Sequence, residues 1–240
     1  MSTALSPRVE RRPFASLGAA DHGWLNARHH FSFANYHDPD RMGWGAIRVW
    51  NDDEIAARSG FPPHPHADME IITYVRKGAI THKDSLGNEG RTVAGDVQVM
   101  SAGTGIRHAE YNLEDETSTL FQIWIMPRTR GGAPSWGTKP FPRDDRNGAL
   151  VVLASGYDAD GEALRIRADA RLLGGTLKAG TSVTYDSDEG RHLYLVAATG
   201  RIAIEGETFE ARDGAAILSA GGPVTITAIA DSEIVLVDSQ

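Results

Sequence analysis

From residue 45 onward, short alternations of apolar and polar residues are broken every few positions by Gly, Pro, Asn or Asp. A sustained 3.6-residue repeat is hard to find. Period-two alternation sends successive side chains to opposite faces of a strand, so the pattern predicts β-structure throughout. Candidate strands are 45–51 (GAIRVWN), 69–75 (MEIITYV), 79–83, 96–101, 107–111 and 120–126 (LFQIWIM). A second series follows at 150–154, 163–173, 193–198, 201–205, 215–219, 224–228 and 233–237. Strands this short and closely spaced predict an all-β fold of the sandwich or barrel type rather than βαβ units.

Between the two series, 127–148 (PRTRGGAPSWGTKPFPRDDRNG) holds four Pro and four Gly and has no apolar period, which predicts a connection between domains. The expected division is an N-terminal unit over 1–130, a linker over 131–148 and a C-terminal unit over 149–240. The halves echo each other: GDVQVMSAG (95–103) aligns without a gap to DGAAILSAG (213–221), which suggests a duplicated unit. Residues 120–126 alternate Phe121, Ile123 and Ile125 with Gln122, Trp124 and Met126, and the alternation leaves open which set is core.

Composition narrows the chemistry. With no Cys, disulfides, thiol nucleophiles and Cys-ligated metals are excluded, and any metal must rest on His, Asp or Glu. The formal charge of −8 opposes non-specific nucleic-acid binding, which needs clustered cations, and the 20 Arg are scattered. Their densest group, Arg8, Arg11 and Arg12, falls in a terminus expected to fray. No signal-peptide core or membrane-length apolar run occurs, so a cytoplasmic location is expected. Of nine His, eight lie within the first 108 residues, and only His192 follows.

The informative cluster is Gly60-Phe-Pro-Pro-His64-Pro-His66-Ala-Asp68-Met-Glu70. Two residues apart on a strand, His64 and His66 point the same way with their Cα atoms about 6–7 Å apart, a spacing that suits two ligands of one metal. The flanking prolines stiffen the approach. Some 40 residues later His108 and Glu110 repeat the i, i+2 spacing. A strand carrying them beside the first would assemble three imidazoles and a carboxylate. That set suits Fe(II), Ni(II), Co(II), Mn(II), Cu(II) or Zn(II), and an octahedral ion would keep two positions open for substrate.

HPHADME with TYV, then SAGTGIRHAEYN, preceded by HGWLNARHHFSFANYHDPDRMGWGAIRVWNDD, resembles the pirin family of the cupin superfamily over most of residues 20–126. The resemblance implies a bicupin of two antiparallel jelly-roll barrels, with metal ligands at His64, His66, His108 and Glu110 and a C-terminal barrel without a metal site. It also implies quercetin 2,3-dioxygenase activity, usually with iron, although eukaryotic pirins are described as nuclear transcriptional co-regulators. The general cupin pattern places its carboxylate near Glu70. On a straight strand that residue lies roughly 13 Å from His66, so Glu110 is favoured.

The expected function is a metal-dependent dioxygenase that opens a flavonol ring, with the deprotonated 3-hydroxyl at the metal and Glu110 as both ligand and base. Expected partners are a small aromatic substrate and O2, with neither membrane nor nucleic acid; the chain is expected to be a monomer. The competing class is a metal-binding regulator with a protein partner. His82, before the turn residues Asp84-Ser85 and Gly87-Asn88, is expected to sit at the surface or cap a hairpin. If Gln122 and Trp124 face the cavity, Gln122 would support the ligands and Trp124 would wall a planar substrate. His22, His29, His30 and His37 are expected to pack against the barrel, and His192 lacks a partner ligand.

Overall fold

The computed structural model describes residues 6–240, which form short strands with three single-turn 3-10 segments. The N-terminal half is a seven-stranded sheet facing a four-stranded one. Across the large sheet the order is Ser135–Lys139, Val97–Ser101, Glu70–Lys77, Ser118–Ile125, Ile47–Ile55, Leu25–His29 and Gly18–Asp21. The small sheet runs Ser59–His66, Ile106–Asn112, Ala79–Asp84, Glu89–Val93. The C-terminal half repeats the plan. Its large sheet is Arg8–Arg12, Gly214–Leu218, His192–Thr199, Ser232–Ser239, Ala170–Leu177, Val151–Ser155 and Leu164–Arg165, and its small sheet is Ser182–Ser187, Gly222–Ala228, Arg201–Ile204 and Glu207–Glu210. Each half is therefore a two-sheet jelly roll, not a closed barrel. Among the described residues no helix is long and apolar enough to cross a membrane.

The two large sheets pack face to face. Trp50, Ile72, Phe121, Ile123 and Ile125 from one meet Tyr194, Val196, Val235 and Val237 from the other in one buried cluster. Strands buried on both faces need apolar residues on both, which is why 120–126 reads as a nearly continuous apolar run. Phe121, Ile123 and Ile125 face the second half, while Gln122 and Trp124 line a cavity in the first.

Four expectations change. Residues 131–148 are not a bare connection: Ser135–Lys139 extends the N-terminal sheet beside Val97–Ser101, and Arg146 is buried, donating to Tyr74 Oη at 3.0 Å and to the Gly95 carbonyl at 3.1 Å. An edge strand is defined by its hydrogen-bonded neighbour, and SWGTK carries no alternation to announce it. The terminus does not fray either. Arg8–Arg12 pairs with Gly214–Leu218, so this segment belongs to the C-terminal sheet, and the buried Arg12 guanidinium lies over Phe31, Trp44 and Tyr194. The strand expected at 163–173 is two. Leu164–Arg165 runs parallel to Val151–Ser155, whereas Ala170–Leu177 pairs with it antiparallel.

The internal repeat is real but shifted by one residue from the ungapped alignment. Asp96 Oδ1 accepts from the Phe141 N–H at 2.9 Å, and Asp213 Oδ1 accepts from the Phe14 N–H at 2.7 Å. The preceding residues, Gly95 and Arg212, are both left-handed, with φ of 95° and 71°. Asp96 thus matches Asp213, Gln98 matches Ala215, and the shared SAG is out of phase.

Candidate metal centre

Ser59–His66 holds three prolines because it is an edge strand whose outer N–H groups need no partner. Its one neighbour, Ile106–Asn112, runs antiparallel with His108 opposite His64 and Ile106 opposite His66, and a bulge intervenes before Glu110. The three imidazoles form a compact triangle. Ring centroids are 4.8 Å apart for His64 and His66, 4.5 Å for His64 and His108, and 4.9 Å for His66 and His108. One potential ligand atom from each lies within 4.8 Å of the others.

Hydrogen bonds fix which nitrogens face inward. His64 Nδ1 lies 2.8 Å from the Pro62 carbonyl, so it carries the proton and donates, leaving the Nε2 lone pair free. Nε2 of His64 lies 3.1 Å from Nε2 of His108. Behind His108 runs a relay: Asp84 Oδ2 is 3.1 Å from His82 Nε2, and His82 Nδ1 is 3.4 Å from His108 Nδ1. With Asp84 ionised, His82 donates from Nε2 and accepts at Nδ1, so His108 donates from Nδ1 and presents Nε2. Burial opposes ionisation of Asp84, but hydrogen bonds from Asn88, His82 and the Leu86 N–H hold its pKa below the usual carboxylate range. His66 Nε2 is buried without a partner.

His82 is therefore neither at the surface nor a hairpin cap. It is fully buried, and Trp136 stacks on it at 4.7 Å and 9°. Trp136 arrives on the edge strand Ser135–Lys139 and rests on Gly90, which stands opposite His82 in the register; a Cβ at Gly90 would collide with the indole. The overlooked signal is the i, i+2 pair His82–Asp84, in which a carboxylate orients an imidazole that in turn orients a ligand imidazole.

Glu110 is 2 % exposed, and its ligand atom groups with those of His82 and His108 rather than with all three imidazoles of the triangle. Its Oε1 accepts from Gln98 Nε2 at 2.6 Å and Thr73 Oγ1 at 3.2 Å, and its Oε2 accepts from Gln122 Nε2 at 2.8 Å. The donors share a row of directly opposed positions running His29, Asn51, Gln122, Thr73, Gln98 across five strands. The row is tied internally, since His29 Nδ1 is 2.8 Å from Asn51 Oδ1 and Gln98 Nε2 also lies 3.3 Å from Thr73 Oγ1, and Thr92 Oγ1 of the small sheet donates to Gln98 Oε1 at 3.1 Å. Glu70 has other company. Its Oε2 accepts from Ser101 Oγ at 2.6 Å and from the Arg167 N–H at 3.1 Å, and it belongs to neither ligand group.

In front of the imidazoles lies a cavity of about 360 Å³. His64, His66, Gln122 and Trp124 line it on one side, and Trp24, Leu25, Ala27, Phe33 and Phe61 make it largely apolar. Trp124 stands edge-on to His66 at 4.9 Å, and Phe33 stands edge-on to Trp124 at 5.4 Å. His22 and His29 also border the cavity. His30 packs at the seam between the halves, with Nδ1 2.9 Å from Tyr194 Oη. His192 stands edge-on to Trp44 at 5.1 Å and joins no ligand group among the described residues.

Burial, reinforced by the neighbouring imidazoles, pulls the pKa of His66 down to about 4 and that of His108 to about 3. Both are neutral near pH 7, as metal coordination requires. Convergent lone pairs, an orphaned buried nitrogen and a clamped carboxylate fit a divalent first-row metal.

The chain is similar to known proteins in both halves. Residues 10–125 match the Pirin family and residues 152–239 match the quercetinase C-terminal cupin domain. A pirin-like protein of Caulobacter vibrioides is 65% identical over 231 residues, covering 96% of this chain and 99% of that protein. A quercetin 2,3-dioxygenase of Escherichia coli strain K12 is 42% identical over 222 residues, covering 92% of this chain and 94% of that one. The crystal structure of the E. coli bacterial pirin YhhW in complex with nickel(II) superposes with a TM-score of 0.90 at 39% identity, covering 97% of this chain and 99% of that one. Matched in both halves and along nearly its whole length, the chain belongs to the pirin family.

Proposed function

We propose that this pirin is a metal-dependent dioxygenase that opens the ring of a flavonol, with His64, His66, His108 and Glu110 holding the metal. The observation that carries the reading is the triangle of His64, His66 and His108, with Glu110 grouped beside His108, next to an apolar, aromatic-walled cavity that His64 and His66 line and that suits a planar ligand. The quercetin 2,3-dioxygenase name of a 42% identical relative supports the activity, and the nickel(II) bound by the E. coli pirin supports a divalent first-row ion. Iron(II) is our choice of ion, on the family resemblance.

When bound, such an ion supplies Lewis acidity toward the flavonol 3-hydroxyl and the redox contact with O2. The chain's own residues do the rest. Trp124 and Phe33 offer an aromatic wall against which the flavonol plane packs, excluding water. Glu110 takes the 3-hydroxyl proton at Oε2, because Oε1 already accepts two hydrogen bonds and Oε2 only one. Gln98, Thr73 and Gln122 keep that carboxylate from rotating as the proton moves. His82 and Asp84 hold the His108 ring so that Nε2 faces the site.

The experiment is anaerobic reconstitution with each candidate metal, followed by O2 uptake and carbon monoxide release with quercetin. At least one metal form should consume O2 and release carbon monoxide together. If no form turns over a flavonol while His108→Ala abolishes binding to a cellular protein, the regulatory reading holds instead.

A further inference from the structure

Asp53 lines the same cavity yet takes no part in holding Glu110 or the imidazoles. It is 2 % exposed, and its Oδ1 is buried with no hydrogen-bond partner. On Ile47–Ile55 it stands two residues beyond Asn51 and so shares its face. Unlike the polar row one step away, its own row is apolar: Ala27 and Leu120 flank it, and Val75 stands beyond Leu120. A carboxyl group left unpaired among aliphatic side chains is destabilising, and buried polar groups without partners are rare.

Among the described residues Asp53 makes no ion pair. The neighbouring Asp52 points to the opposite face, where it takes the guanidinium groups of Arg76 and Arg212. Burial, then the charges of Asp52 and Glu110, push the Asp53 pKa well above the usual carboxylate range, against a smaller opposing pull from Arg76. The fold itself does not ask for an acid here. In the C-terminal half the matching position is Gly175, opposite Ile234 as Asp53 is opposite Leu120.

We propose that the Asp53 carboxyl group is the hydrogen-bond site in the cavity for a ring hydroxyl of the substrate other than the one served by Glu110, and that it sets a preference for polyhydroxylated flavonols. The inference rests on the flavonol reading and names the substrate class within it. A hydroxyl that enters an apolar wall loses its water, and only a ligand able to pair with Asp53 recovers that loss.

The test compares quercetin with 3-hydroxyflavone, which keeps the 3-hydroxyl and lacks every other. Dissociation constants are measured anaerobically on the metal-loaded protein by quenching of tryptophan fluorescence. Wild type should bind quercetin about tenfold tighter or more. Asp53→Leu should bring the ratio close to one by weakening quercetin alone, and Asp53→Asn, which keeps a hydrogen-bonding group at the same place, should keep most of it. Asp53→Ala removes the group without added bulk and gives the same reading if Leu does not fit. An unchanged ratio in the apolar variants, or no preference in wild type, overturns the role of Asp53 and leaves the flavonol reading intact. Binding of neither compound to wild type overturns both.

Discussion

The two halves share one scaffold and differ most along a single row of side chains. In the N-terminal sheet the row reads His29, Asn51, Gln122, Thr73, Gln98. At the matching register the C-terminal sheet reads Val152, Leu173, Leu236, Leu195, Ala215. Four of these, all but Val152, belong to a buried apolar cluster, with Val183, Val224 and Ile226 from the facing small sheet completing the filling and Val152 packed against it. One jelly roll is filled like an ordinary core; the other keeps a polar seam through its middle. The scaffold folds with either, so the seam answers to the clamped Glu110 rather than to the fold.

The hardest test of this contrast removes an imidazole from each half. His108→Ala should lose the metal and at least about a hundredfold in turnover, since ligand loss should exceed the effect of losing its supporting groups. His192→Ala should leave both unchanged, as checked by metal analysis and O2 uptake. Next, the rows can be exchanged. Gln122→Leu should lower turnover by about 10–100-fold through loss of one Glu110 donor. Leu236→Gln should spare turnover but destabilise by about 2–5 kcal/mol in denaturant unfolding, because an unpaired amide replaces a packed side chain.

A smaller effect is expected behind the centre. Asp84→Asn should weaken metal affinity by about tenfold, measured by chelator competition, because His82 loses the partner that fixes its tautomer. The smallest concerns the seam between the halves. Burial, with Arg12 next, holds the His30 pKa well below its ordinary value, so the folded protein keeps this ring neutral. As pH falls below about 6.5 the unfolded chain takes up a proton that the folded state does not, and stability declines by up to about 1.4 kcal/mol per pH unit for this group. His30→Asn should show a shallower decline between pH 7 and 5 in denaturant unfolding.

The all-β class and the HxH and HxE pairs could be read from the sequence because each depends on residues two apart, a spacing that a strand converts directly into proximity. What could not be read depends on contacts remote in sequence. His82 looks like a turn residue until Trp136, 54 positions later, covers it. Arg8–Arg12 and Ser135–Lys139 carry no alternation, since each is defined by the strand beside it. Asp53 hides in an Asp52-Asp53 pair that reads as solvated, whereas the strand sends the two to opposite faces. The ungapped alignment of the halves fails because an identical tripeptide outweighs the left-handed residue and the aspartate hydrogen bond that set the true register.

In the proposed mechanism Glu110, not Glu70, completes the centre and takes the substrate proton. The direct measurement is metal content and flavonol turnover of Glu110→Gln and Glu70→Gln after the same reconstitution. Glu110→Gln should keep much of its metal and lose turnover, while Glu70→Gln should keep both. Turnover lost in Glu70→Gln and retained in Glu110→Gln would contradict it.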